Sequence, residues 1–326
     1  FFLQQSREYL NPYLKATNIH HSAMRELVKL AIYKKAQQFS QGLIPEKQQV
    51  HISTETHQSS TSTDDNFYKT ASQLVQGQIN LISLPEIYYQ IVEVLESTRS
   101  SARHIAEVVS KDSSLSAKLL KLANSAFYGF PSKIDSIPKA ITIIGTKQLS
   151  SLALGISVLK AFKDIPAELL NMESFWKHSI YCGLYARLIC SRKVGLSEER
   201  LFVAGLLHDI GRLIMCLKMP QMCLQAISLS KQENIPLFKA EKRILGFTHS
   251  QVGGCLCKEW KMPVNLEQSI VGHHYPDKKS NFLEQAVLHL ANIMALTIGE
   301  GSSGESLVPV MREQAWATID LSTSVL

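Results

Sequence analysis

Leu201-Phe-Val-Ala-Gly-Leu-Leu-His-Asp-Ile-Gly-Arg-Leu-Ile214 holds only three polar side chains in fourteen positions: His208, Asp209 and Arg212. A run this apolar is buried, and a His and an Asp side by side inside it are costly to desolvate unless something satisfies them. A metal ion, a salt bridge or a hydrogen-bond network would each serve. Ser197-Glu198-Glu199 caps and charges the start of the helix, and Gly211 is expected to break it.

Outward from this stretch the helical period continues in both directions. Upstream, Ile87, Ile91, Val94 and Leu95 line one face after Pro85, and Ser100 or Ser101 caps a helix carrying Ile105, Val108 and Val109. Asp112 caps another with Leu115, Leu119 and Leu122 at i, i+4, i+7, ended by the breaker residues of 124–131. Pro138 opens a helix that Gly145 closes, and Lys147 to Phe162 follows. Downstream, helices are expected over Phe175–Cys190, Met215–Lys231, Val264–Gly272 and Phe282–Ile298, with a T-x-x-Q capping box at Thr248–Gln251. No alternating strand of useful length is found. The fold class is all-α, a multi-helix bundle with an N-terminal helical extension.

The chain divides into an N-terminal helical segment (1–44), a polar flexible linker (45–70) rich in Ser, Thr and Gln, and two helical halves (71–165 and 166–300). A C-terminal tail element (301–326) follows, its approach through 299–306 rich in Gly and Ser. The first segment reads as an amphipathic helix against the main body, a connector or a dimerising helix. The first residue is not Met, so an upstream domain is expected to be missing.

Composition narrows the function. With 45% apolar and 19% charged residues the chain is globular, and its net charge of +6 is scattered with no Lys/Arg run longer than two. Nucleic-acid binding is not indicated. The six cysteines form no CxxC pair and read as reduced core thiols. There is no signal peptide and no apolar run of about 18 residues, so no membrane span is read and a cytoplasmic location is expected.

Five histidines recur in order with the central pair: His178, His208-Asp209, His249, His273-His274. Each lies on or at the end of a helix with apolar neighbours. Neutral imidazole is the commonest transition-metal ligand, and an adjacent Asp can bridge two ions. Two ions a few Å apart would clamp a phosphate and activate water. The same residues could equally form a hydrogen-bonded core network without metal.

Two segments resemble the HDOD family, a branch of the HD superfamily found as output domains in bacterial signalling proteins. The first runs from Ile82-Ser-Leu-Pro-Glu-Ile87 through Ser110 to Pro131, with its Leu-Ala-Asn-Ser-Ala-Phe-Tyr-Gly motif, and on to Ser136–Gly145. The second comprises Phe175-Trp-Lys-His178, Ala204-Gly-Leu-Leu-His-Asp-Ile-Gly211, Glu241 to Val252 and His273-His274. The resemblance covers about residues 75–298. It implies an all-helical fold within a superfamily that includes metal-dependent phosphohydrolases and cyclic di-GMP phosphodiesterases. Carried over by position, it implies that His178, His208, Asp209 and Asn292 form one metal site. Asp209, His249, His273 and His274 would form a second, bridged by Asp209.

The departures are specific. Asn292 stands where such sites have Asp, Ser174 where some bimetallic relatives have Glu, and Arg212 where active relatives often have Lys. Tyr275-Pro276-Asp277 lacks the signature of cyclic di-GMP hydrolysis. The resemblance therefore implies a regulatory signal-transduction output module acting through protein or small-ligand binding. The expected partners are a signalling protein or the missing upstream domain, a phosphate-containing ligand and a second copy in a homodimer. The alternative is a metal-dependent phosphohydrolase acting on a nucleotide or phosphodiester, with Asp209 and Arg212 as catalytic groups. The cofactor is a divalent transition metal (Fe, Mn or Zn), as one or two ions or none.

Overall fold

The structure, a computed structural model, describes residues 2–41, 43, 68–76, 86–96, 102–124, 133–159, 162, 165–167, 169–193, 195–278, 281–299 and 301–325. The chain begins with α1 (Phe2–Leu10), α2 (Ser22–Ser40) and α3 (Ala71–Gln76). It continues through α4 (Glu86–Glu96), α5 (Ala102–Ser110), α6 (Ser113–Ala123), α7 (Ile137–Ile144) and α8 (Thr146–Leu159). Then come α9 (Met172–Cys190), α10 (Glu198–Leu207), α11 (Ile210–Lys218), α12 (Pro220–Glu233) and α13 (Leu237–Leu245). The last are α14 (His249–Glu259), α15 (Val264–Gly272), α16 (Phe282–Ile298) and α17 (Glu313–Ile319). No strand occurs among the described residues, and the fold is all-α. Nor is any helix among them long and apolar enough to cross a membrane. The polar stretch 45–66, Pro85, the caps at Ser100 or Ser101, and the breaker run beyond Asn124 lie outside the described residues.

Two compact units form, one from Gln78–Lys163 and the other from Phe1–Gly77 with Asp164–Leu326. In the first, α4 to α8 pack around Ile105, Val109, Leu115, Leu119 and Leu149. Asp112 caps α6 by accepting from Leu115 N at 2.9 Å. The Asn124 carboxamide holds the far side of its turn, accepting from Ile134 N (2.8 Å) and donating to Ile134 O (2.7 Å).

The second unit is built around α16, whose residues from Glu284 to Thr297 are all buried. A helix apolar all round needs cover on every side. Here α2, α9, α10, α15 and α17 supply it. The expected caps form: Ser197 accepts from Arg200 N, and Thr248 and Gln251 make the reciprocal capping box of α14.

Three features depart from the sequence reading. Met215–Lys231 is two helices, because Pro220 lacks the N–H that would continue α11 and instead opens α12. Helix α13, between them and α14, has no counterpart among the expected helices. The break expected at Gly211 falls earlier, at His208 and Asp209 themselves. Gly211 lies inside α11 and serves close approach: a Cβ there would meet His249 O at 2.0 Å and Gly253 N at 2.5 Å. The α11 and α14 backbones therefore touch, which brings His249 to Asp209. Gly211→Ala is expected to lower unfolding free energy by about 3 kcal/mol in urea titrations, since overpacking of this kind forces backbone shifts. An unchanged midpoint would contradict this packing.

Candidate metal centre

His208 sits at the C-cap of α10 and His273 at the C-cap of α15. The last carbonyls of a helix lack intrahelical partners. Each imidazole turns back to meet one: His208 Nδ1 donates to Gly205 O (2.8 Å) and His273 Nδ1 to Ile270 O (2.7 Å). His249 is anchored through Nδ1 to the Glu241 carboxylate at 2.6 Å, which also accepts from His249 N. Protonating Nδ1 in this way leaves the Nε2 lone pair facing inward, the arrangement that outer partners impose on metal-binding histidines.

These nitrogens converge on Asp209, in the turn between α10 and α11 with φ −101° and ψ 8°, a backbone region common at functional sites. His208 Nε2 is 3.0 Å and His178 Nε2 3.7 Å from Asp209 Oδ2. On the other oxygen, His249 Nε2 is 2.9 Å and His273 Nε2 3.7 Å from Oδ1. His274 Nε2 is 3.0 Å from His249 Nε2, its ring stacked on Phe238. Two sets of potential ligand atoms result, His178–His208–Asp209 and Asp209–His249–His273–His274. All six residues suggested by the histidine pattern are thus brought together, and all are buried. Asn292, on α16, is buried against His178 of α9.

The donor set fits a divalent cation. Asp209 Oδ1 and His273 Nε2 are buried without a hydrogen-bond partner, although Oδ1 lies 2.9 Å from His249 Nε2. Acceptors held this close with no aligned hydrogen repel each other unless a cation or proton lies between them. A divalent ion bound there would polarise a ligand oxygen; the protein's own part is to present these fixed lone pairs.

Arg212 is the resident positive charge. Its Nε donates to Glu241 (3.1 Å), its NH1 to Ser303 O (2.8 Å) and Oγ (2.6 Å), and its NH2 packs against the His249 ring. Its NH1 is also 3.5 Å from Asp209 Oδ2. Engaged in this way, Arg212 holds the walls of the site, and its side chain is buried.

The protonation states follow from these neighbours. Burial opposes the Asp209 carboxylate, but His208, Arg212 and His249 outweigh it and hold its pKa well below the usual range. Glu241, likewise opposed by burial, is drawn down to about 2 by His249 and Arg212. Burial disfavours imidazolium at His208, yet the adjacent Asp209 raises it well above 6.5. His249 is raised too: burial and Arg212 oppose its charge, and Glu241 and Asp209 prevail. Burial first, then the neighbouring His208, pushes His178 down to about 3. Burial and nearby imidazoles hold His273 and His274 well below 6.5. A proton on His208 or His249 and a metal ion are therefore alternative counter-charges for Asp209.

Three contributors escaped the sequence reading. Glu241, eight residues before His249, orients it; the spacing of α13 and the α14 cap was the available signal. His289 on α16 supports His273 by donating Nδ1 to its carbonyl at 2.8 Å, and burial lowers its pKa to about 4. Ser303 reaches Asp209 Oδ2 from the Gly/Ser-rich stretch that reads as a tail. Nearby Glu305 is buried, accepting from Leu237 N and Leu307 N, and burial raises its carboxyl to about 7. All six cysteines are free, and all but Cys255 are buried.

Comparison with known proteins places this arrangement. The chain matches the HDOD domain family model over residues 81–276, more than half its length. It is similar to the crystal structure of an HDOD domain protein of unknown function from Geobacter sulfurreducens. That match has 25% identity and a TM-score of 0.62, covering 76% of this chain and 87% of that one. A protein of Shewanella amazonensis SB2B, whose name proposes a phosphohydrolase, shares the fold at 23% identity and TM-score 0.60, with 79% and 90% covered. Another, from Marinobacter aquaeolei VT8, whose name proposes signal transduction, shares it at 22% identity and TM-score 0.60, with 77% and 56% covered. A protein of Treponema pallidum (strain Nichols) without a functional name is 23% identical over 210 residues, 63% of this chain. The matched stretch spans 40% of that relative's length. The family match, the helical fold and the histidines around Asp209 agree: the chain belongs to the HDOD domain family.

Proposed function

We propose that this chain is a regulatory output module whose histidine cluster binds one divalent transition metal, Fe, Mn or Zn, as a buried ligand. The carrying observation is the difference between the two oxygens of Asp209. Oδ1 faces His249, His273 and His274 with no hydrogen-bond partner, ready for an ion. Oδ2 is taken by Ser303 and lies 3.5 Å from Arg212 NH1. On the Oδ2 side, moreover, the position of a carboxylate is filled by the neutral Asn292. An ion on Oδ1 completes a carboxylate–imidazole set of the kind that holds transition metals. Two-ion phosphoryl chemistry needs both positions and an open path for substrate. With His178, His208, His249 and His273 all sealed from solvent, the resting site favours a bound regulator over turnover.

Phosphohydrolysis is the second reading, favoured by the His178–His208–Asp209 set, whose ligand atoms lie within 4.8 Å of one another. The test is to load the full chain with Mn2+, Fe2+ or Zn2+ and assay phosphomonoesters and diesters. The regulatory reading expects retained metal with kcat below about 0.1 s⁻¹, against the roughly 1–1,000 s⁻¹ typical of enzymes. Fast turnover would replace it with the hydrolase reading. The partner expected for such a module is a signalling protein or a domain of the same polypeptide, to be sought by pull-down with metal-loaded and chelated forms compared.

A further inference from the structure

The segment from Gly301 to Leu307 lies directly over the centre. Ser303, fully buried, donates its hydroxyl to Asp209 Oδ2 and accepts from Arg212 NH1 through both Oγ (2.6 Å) and its carbonyl (2.8 Å). One side of the segment is pinned where Ser302 N donates to Ser174 Oγ (2.9 Å), on the first turn of α9. The other is pinned by Glu305, whose carboxyl accepts from Leu237 N (2.7 Å) and Leu307 N (2.9 Å). Beyond it, Val308 N donates to Tyr13 O at 2.8 Å. The backbone turns on glycines in the left-handed region, Gly299 (φ 74°), Gly301 (φ 85°) and Gly304 (φ 96°). At Gly301 the fit against α9 is so close that a Cβ would meet Ser174 O at 2.3 Å and His178 N at 2.6 Å. The segment is therefore held by buried polar contacts and by the apolar seat of Leu307, and it turns on residues without side chains, which lets its backbone re-orient without unwinding the helices beside it.

We propose that Gly301–Leu307 is a strap governing a second metal position. With Ser303 seated on Asp209 Oδ2, the centre takes one ion, on Oδ1 with His249, His273 and His274. When the strap lifts, Oδ2 is freed and a second ion binds between Oδ2, His178 and His208. The strap thus converts a one-ion centre into a two-ion centre, and a partner or ligand that holds it open changes the chemistry available. This rests on the metal reading above and adds a moving part to it.

Mn2+ alone, titrated into the full chain by calorimetry with bound ions counted, is the direct test. In the wild type one ion binds, and a second at least about 100-fold more weakly. Ser303→Ala tightens the second about tenfold or more, because two hydrogen bonds to charged partners no longer hold the strap. Gly301→Ala, which unseats the strap by collision with α9, does the same by an independent route. His178→Leu removes the second ion and keeps the first. Isotherms of Ser303→Ala and Gly301→Ala identical to wild type, or two equal ions in all forms, overturn the strap.

Hydrogen exchange in chelator gives a metal-independent readout. The amides of Ser302, Gly304 and Leu307 should exchange by an opening that leaves α9 and α16 protected. In Ser303→Ala they should exchange about tenfold faster while α16 is unchanged. Strap amides that exchange only with global unfolding overturn the proposal. Absence of any bound ion with a locally opening strap instead refutes the metal reading alone.

Discussion

Asp209→Ala strips the centre of metal and lowers the stability of the fold by roughly 3–5 kcal/mol, the range measured when one partner of a buried ion network is removed. Asp209 is the one residue common to both ligand sets. It is also the counter-charge for Arg212 and for the imidazoles of His208 and His249, all buried with it. Removing it leaves three cationic or proton-hungry groups facing one another, with Glu241 still paired to Arg212 and His249. Asp209→Asn keeps the volume and should lose metal and most of the same stability, which separates charge from packing. The double variant Asp209→Asn, Arg212→Leu should recover part of the loss, because the uncompensated cation is gone. Urea denaturation and metal content on the same preparations check both effects. Full metal retention in Asp209→Ala would end the assignment of Asp209 as the bridging group.

Acid should unfold the metal-free chain early. His178 and His289, at about 3 and 4, and His273 and His274, well below 6.5, are kept neutral by burial in the folded state. Their folded values lie below their unfolded ones, so their contribution is present above pH 6.5 and is lost as pH falls toward the folded values. Glu305 has the opposite sign: raised to about 7, its contribution is present below about pH 4.5 and is lost as pH rises through 7. His208 and His249, raised, are protonated in both states below 6.5 and add no slope there. Between about pH 6.5 and 4.5 the unfolded chain binds four histidine protons that the native chain refuses, and the native chain holds one that the unfolded chain lacks. The net of about three protons gives a slope near 4 kcal/mol per pH unit, stability falling with pH. Against a total of roughly 5–15 kcal/mol, that slope exhausts the stability between about pH 5 and pH 3. Thermal melts in chelator at pH 8, 7, 6 and 5 measure it, and His289→Leu should flatten the slope by about one proton. Melting temperatures level from pH 7 to 5 would contradict the neutral buried histidines.

What could be read from the sequence followed from short-range physics. The apolar run around His208-Asp209, the caps at Ser197 and Thr248, and the apolar length of α16 are local patterns, and each formed as expected. The meeting of His178, His208, His249, His273 and His274 was legible because every one of them stands on or at the end of an apolar helix that must turn inward. Gly211 misled because a glycine in a helix reads as a break, whereas here its missing side chain admits α14. Ser303 was illegible for a related reason: a Gly/Ser-rich stretch has the composition of a loose tail. Its burial depends on long-range partners, Asp209 and Arg212, that no local period encodes. Glu241 stayed hidden because an isolated charge on a helix is usually solvated, and only the fold brings it to Arg212 and His249.

Asp209 and its histidines are proposed to hold a metal ion. Metal content of the full chain tests this most directly, after loading with Mn2+ or Zn2+ and gel filtration, with Asp209→Ala carried in parallel. About one ion per wild-type chain and none in the variant is the expected result when a site depends on a bridging carboxylate. A wild-type chain as empty as Asp209→Ala would contradict it and leave the cluster a self-neutralised network of Arg212, Glu241 and shared protons.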